Sequence, residues 1–214
     1  MKLLVGLDIS VTSPAVCVVE VTGTTKFHLA CFAQRTKDFC AQIPKTEANN
    51  TSLTVYPSVP DSKSPDLVRY QHIIKYIMMF LSTFQPQKET TTIAVEGYAF
   101  VPAHLAGSSY KLHEITGALK YEILQRWDIL TQTIAVGKWK KISCGKGNAK
   151  KQDVVAMVKH LLKIDMLDVF QLHPKKNGDI PVPVQDVCDA LGIAVSVKNI
   201  QENLEPVVKK QKIK

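Results

Sequence analysis

No apolar run in the 214 residues approaches the roughly 20 that a membrane-spanning helix requires; the longest strongly apolar stretch near a helix is YIMMFL, at 76–81. The N-terminus has no signal-peptide pattern, because LLVGLD at 3–8 meets an acid before an adequate apolar region develops. The five cysteines, at 17, 31, 40, 144 and 188, include no C-x-x-C pair, and their odd number suits a reducing compartment better than a disulfide framework. The absence of paired Cys and His argues against a zinc site as well. Acids are in the minority, 19 against 27 Lys and Arg, and the formal charge of +8 favours a polyanionic partner. The expectation is a soluble, intracellular protein with no membrane role. Its compartment is open among viral, organellar, nuclear and bacterial cytoplasmic.

The 45% hydrophobic content is enough for one good core. Residues 2–7, 15–21 and 26–33 are rich in Val, Leu, Ile and Phe and are separated by turn signals, so they read as three successive strands, the last two forming a hairpin. From Gln34 to Lys63 the pattern dissolves into polar residues and prolines, an insertion of about thirty residues with room for a short strand at Leu53–Tyr56. Ser64-Pro65-Asp66 opens a helix as capping residue, first-turn proline and early acid; Leu67, Tyr70, Ile73, Ile74, Ile77, Leu81 and Phe84 follow at helical spacing. A buried strand running into an aromatic stretch at 91–100, a helix over 107–126, a strand over 129–136 and helices over 151–162 and 184–199 complete the chain. This order predicts an α/β fold of ribonuclease H-like type, a mixed five-stranded sheet flanked by helices. The domain spans 1–200 with its insertion at 34–63, and 201–214 is a basic tail ending in KKQKIK.

Asp8 stands directly behind a run that reads as a buried strand, and Glu96 repeats the arrangement at the end of TIAVE. If the two strands are parallel neighbours, their carboxylates converge at one end of the sheet. In VQDVCDALGIAVSV, Asp186 and Asp189 lie one helical turn apart on a helix whose small residues Ala190 and Gly192 permit close approach to a sheet. Each acid alone has a plainer explanation, as a turn residue, a strand-end surface acid or a helix N-terminal charge. Together, four acids abutting apolar runs in three segments suit a divalent cation, and an all-oxygen set suits Mg²⁺ or Mn²⁺.

The ordered motifs GLDIS, AVEGYAF, GKGNAKK and DVCDALGIA resemble those of the RuvC-type Holliday junction resolvases. The resemblance implies a metal-dependent endonuclease that nicks four-way DNA junctions symmetrically as a homodimer. It makes Asp8, Glu96, Asp186 and Asp189 the ligands of two Mg²⁺ or Mn²⁺ ions and brings Lys151, the end of the basic motif, near the scissile phosphate. Tyr98 and Phe100 straddle the position of the aromatic that acts at the junction centre.

Eight lysines against one acid occupy 138–163. Lys138, Lys140, Lys141, Lys146, Asn148, Lys150 and Lys151 are the candidate DNA contacts, with Trp139 among them and glycines whose backbone N–H groups can approach phosphate. Met78 and Met79 give the 64–84 helix more apolar surface than one core face needs, which suits either a dimer seam or deep burial. Three rivals share parts of the pattern. One is a nuclease of the same fold acting on flaps or other branched DNA, the second a catalytically silent junction-binding protein. The third, a sugar-kinase-like phosphotransferase suggested by GLDISVTS, lacks a second glycine-rich phosphate loop and the length of a two-domain body.

Overall fold

A computed structural model describes residues 1–32, 50–97, 106–174 and 177–202. Its strands are β1 (Lys2–Asp8), β2 (Ala15–Val21), β3 (Thr25–Phe32), β4 (Thr51–Tyr56), β5 (Thr91–Gly97) and β6 (Gln132–Ala135). Its helices are α1 (Asp66–Ser82), α2 (Ala106–Trp127), α3 (Val136–Cys144), α4 (Lys151–Leu162), α5 (Met166–Val169) and α6 (Val182–Glu202). The strands form one sheet in the order β4-β3-β2-β1-β5-β6. β1, β2 and β3 pair antiparallel as a meander, while β5 lies parallel to β1, β6 parallel to β5 and β4 parallel to β3.

The central strands read as nearly unbroken apolar runs because both faces of the sheet are covered. Odd-numbered Leu3, Val5 and Leu7 of β1, with Ile93 and Val95 of β5, pack beneath α1 and α2 among Ile73, Ile77, Leu81, Ile115 and Leu119. Even-numbered Leu4 and Ala94 face the other way, into a core built with α3, α4 and α6. The two-residue strand period therefore also sends Asp8 and Glu96 toward the α6 side.

Within α6, Val184, Val187, Cys188, Ala190, Leu191, Ile193 and Ala194 are all fully buried. A helix buried on nearly all sides belongs inside a protein, and each of its fully buried Val, Leu and Ile side chains stabilises the fold by roughly 1.5–3 kcal/mol. Gly6 permits the contact with β1. A Cβ there would fall 2.1 Å from the Ala190 carbonyl oxygen and 2.5 Å from the Ala194 nitrogen.

Several expectations are corrected. The described sheet has six strands, not five, because Thr51–Tyr56, inside the 34–63 segment, pairs along β3 at the sheet edge. The strand expected over 129–136 shortens to Gln132–Ala135, and the lysine-rich stretch after it is the helix α3. Its buried residues, Trp139, Ser143 and Cys144, lie at helical spacing, but intervening lysines dilute the pattern. Pro65, not Ser64, is the N-cap of α1, and no side chain caps that end. Gly192 accommodates the Trp139 ring instead of the sheet. Residues 203–214, most of the expected tail, lie outside the described residues, as do 33–49 of the insertion. No described helix is long and apolar enough to cross a membrane.

Candidate active site

β1 and β5 are parallel neighbours with Gly6 opposite Ala94 and Leu7 opposite Val95. The same offset, carried one rung further, sets Asp8 beside Glu96 at the carboxyl end of the sheet, where parallel sheets place their sites. α6 crosses this end with its first two turns, which bring in Asp186 and Asp189. Three elements distant in sequence thus converge, with the Gly6–Ala190 contact fixing the depth of the helix.

All four carboxyls are raised above their ordinary titration range by burial, and three of them, Asp8, Glu96 and Asp186, also by neighbouring acids. Asp8 is pushed well up, first by burial and then by Asp186, Asp189 and Glu96. Burial followed by the Asp189 charge raises Glu96. Asp186 rises to about 7, chiefly through burial, although Ser13 and the Lys151 charge act against the rise. Asp189 is also raised by burial, against Lys140, Gln185 and Lys151. Mutually coupled acids of this kind mark a site that favours added positive charge.

Oδ2 of Asp186 is buried without a hydrogen-bond partner, a costly arrangement for a carboxylate. A cation held by these oxygens satisfies that atom, and a set composed only of carboxylates suits a hard ion such as Mg²⁺ or Mn²⁺. Among the described residues, no three His, Cys, Asp or Glu side chains stand around one point at ligating distance as placed. The residues fit a metal by chemistry and by convergence.

Two lysines face the acids from outside the sheet. Lys140 of α3 is half-buried, and its charge opposes the upward shifts of Asp8, Glu96 and Asp189. Lys151, the exposed first residue of α4, acts on Asp186 and Asp189. The other candidate DNA contacts are spread over the same region. Lys138, Lys141, Lys146, Asn148 and Lys150 are exposed. Lys146 pairs with Asp153 at 2.9 Å, and the Lys150 main-chain N–H donates to the same carboxylate at 2.7 Å, which ties the glycine-rich turn to the start of α4. Tyr98 and Phe100 lie outside the described residues.

Three contributors were not assigned these roles from the sequence. Trp139 stands among lysines but is fully buried, and its indole N–H donates to Glu96 Oε2 at 3.1 Å. Ser13, in the β1–β2 loop, lies near enough to Asp186 to oppose the rise of its carboxyl. That loop is held by Arg69 of α1, whose guanidinium donates to the Val11 carbonyl, and by the Ser10 hydroxyl oxygen, which accepts the Ser13 N–H at 2.8 Å. Lys140, expected only as a DNA contact, also faces the acids. A tryptophan flanked by lysines was the one available signal for the first, while nothing local distinguishes Ser13.

A family model described as "Crossover junction endodeoxyribonuclease RuvC" matches residues 43–197. The chain belongs to the RuvC family. Among solved structures it is similar to Thermus thermophilus RuvC, with 20% identity, TM-score 0.57, and coverage of 94% of this chain and 97% of that one. It is also similar to T. thermophilus RuvC in complex with Holliday junction substrate, with 18% identity, TM-score 0.58, and coverage of 95% and 96%. No curated protein sequence matches significantly. The structural likeness covers nearly the whole of both chains, whereas the family match begins at residue 43, after β1, β2 and β3.

Proposed function

We propose that Asp8, Glu96, Asp186 and Asp189 hold divalent metal, Mg²⁺ or Mn²⁺ and two ions per site, with which this crossover junction endodeoxyribonuclease nicks four-way DNA junctions. The observation that carries the reading is the convergence of four buried carboxyls, all raised and one with a buried and unpartnered oxygen, at the carboxyl end of two parallel strands. Bound there, such ions supply an activated water and neutralise charge on the phosphate during an in-line displacement. The chain itself needs no covalent nucleophile. Its carboxylates position the ions and Lys151 approaches the phosphate under attack. Lys138, Lys140, Lys141, Lys146, Asn148 and Lys150 hold the flanking backbone, a sequence-independent and salt-sensitive attraction.

The same reading makes the protein a homodimer that delivers paired nicks. Between α1 and α2 lies an open groove of about 590 Å³ that includes Ile74, Met78, Met79 and Tyr121. Met79 and Tyr121 are 46% and 61% exposed, and a second copy packed along the groove covers them. Met78 belongs to the core instead.

Cleavage of a four-way junction, a flap and a linear duplex at equal concentration tests the substrate assignment. Preferential, paired and symmetric nicking of the junction is expected. Equal cutting of the flap would favour a broader branched-DNA nuclease, and binding without cutting in either metal would favour a silent junction binder.

A further inference from the structure

Among the described residues, Trp139 heads the fully buried side chains by volume. Its ring occupies a slot that exists because residue 192 is glycine: a Cβ there would stand 2.6 Å from Cζ3 and 3.1 Å from Cε3 of the indole. Phenylalanine can supply an aromatic ring for such a slot, but it cannot supply the indole N–H, which is a donor only and needs a partner when buried. Here that partner is Glu96 Oε2, at 3.1 Å. The bond favours the ionised carboxylate and opposes the upward shift caused by burial.

Glutamate has one more side-chain torsion than aspartate, so Glu96 has more rotamer freedom to lose when its carboxylate is fixed. One oxygen anchored by a rigid indole reduces that cost, as partners behind a metal ligand commonly do. The anchor is itself fixed from two sides, by Gly192 of α6 and by α3, in which the Trp139 carbonyl accepts the Ser143 hydroxyl at 2.8 Å.

We propose that Trp139 is a positioning residue for Glu96: its indole N–H holds Oε2 and so orients the carboxylate that would ligate the ion, and Gly192 keeps the indole in register. The inference rests on the reading of Glu96 as a metal ligand. It also joins α6 to the site twice, through Asp186 and Asp189 directly and through Gly192 by way of Trp139.

The test uses the full chain labelled with ¹⁵N. Its two tryptophans, Trp127 and Trp139, give two indole N–H resonances, distinguished with Trp127→Phe. Titration with Mg²⁺ alone is expected to shift the Trp139 indole resonance and not that of Trp127. Trp139→Phe, folded by circular dichroism, is expected to raise the Mg²⁺ concentration for half-maximal junction cutting by about tenfold, with a smaller loss of rate at saturating Mg²⁺. Gly192→Ala is expected to shift the requirement in the same direction. If backbone resonances around Asp8 and Asp186 respond to Mg²⁺ while the Trp139 indole does not, the proposal is overturned, and this readout does not depend on any variant folding. An unchanged Mg²⁺ requirement in a folded Trp139→Phe protein also overturns it. Failure of the underlying reading looks different: Glu96→Gln would then bind Mg²⁺ as the natural protein does.

Discussion

Gly6 of β1 and Ala190 of α6 are in backbone contact, so near that a methyl group on Gly6 would overlap the Ala190 carbonyl oxygen at 2.1 Å. This approach sets the height of α6 over the sheet and with it the position of Asp186 and Asp189 relative to Asp8. Gly6→Ala is therefore expected to cost about 3 kcal/mol and to reduce cutting by more than the loss of folded protein explains. Thermal melts and cleavage rates normalised to folded protein measure the two effects.

The raised Asp186 carboxyl predicts an unusual dependence of stability on pH in the metal-free protein. Its titration moves from the ordinary 3.8 to about 7, so between these values the folded state binds more protons than the unfolded state. Stability falls as pH rises through that window and levels off above it. The raised Asp8, Glu96 and Asp189 act in the same direction. The lowered carboxyls of Asp66, Asp153 and Asp165 act below their ordinary range and do not offset it there. Melting temperatures from pH 4 to 8 in chelator should decline, Asp186→Asn should flatten the decline, and Mg²⁺ should restore stability at pH 8.

Lys141 and Lys138 are exposed on α3. Replacing either with Ala should weaken junction binding equally for all sequences and lower the slope of log affinity against log salt by about 1. Lys151→Ala should instead depress the cutting rate more than binding. Fluorescence anisotropy at several salt concentrations, paired with single-turnover cleavage, separates these effects.

A dimer seam along α1 and α2 predicts that light scattering gives twice the chain mass at micromolar concentration. Met79→Asp combined with Tyr121→Glu should give the monomer mass and replace paired nicks with single ones. A monomer mass for the natural protein would contradict the seam.

Legibility in the sequence followed how local each signal was. Asp8 and Glu96 could be read because each ends a strand whose apolar run is unbroken, and parity then sends both to one face of the sheet. The parallel pairing of β1 with β5, inferred as a condition for their convergence, is what the structure contains. Helix α4 matched its expected limits, Lys151 and Leu162, because its period is clean. α3 was missed because three lysines within nine residues outweighed the spacing of Trp139, Ser143 and Cys144. β4 was visible only as a short candidate, since an edge strand that is mostly half-buried has little apolar signature. Gly192 was read as clearance for the sheet, a role that belongs to Gly6; which helix or strand meets a glycine is a tertiary fact. The same holds for Trp139 and Ser13, whose partners lie 43 residues away on β5 and across the fold on α6.

The central claim is that the carboxyl cluster cuts junction DNA with metal. Cleavage of an end-labelled four-way junction in Mg²⁺ or Mn²⁺, with the natural protein beside Asp8→Asn, tests it most directly. The account predicts paired symmetric nicks by the natural protein, none by Asp8→Asn, and junction binding by both. Undiminished cutting by Asp8→Asn, or cutting by the natural protein in chelator, would contradict it.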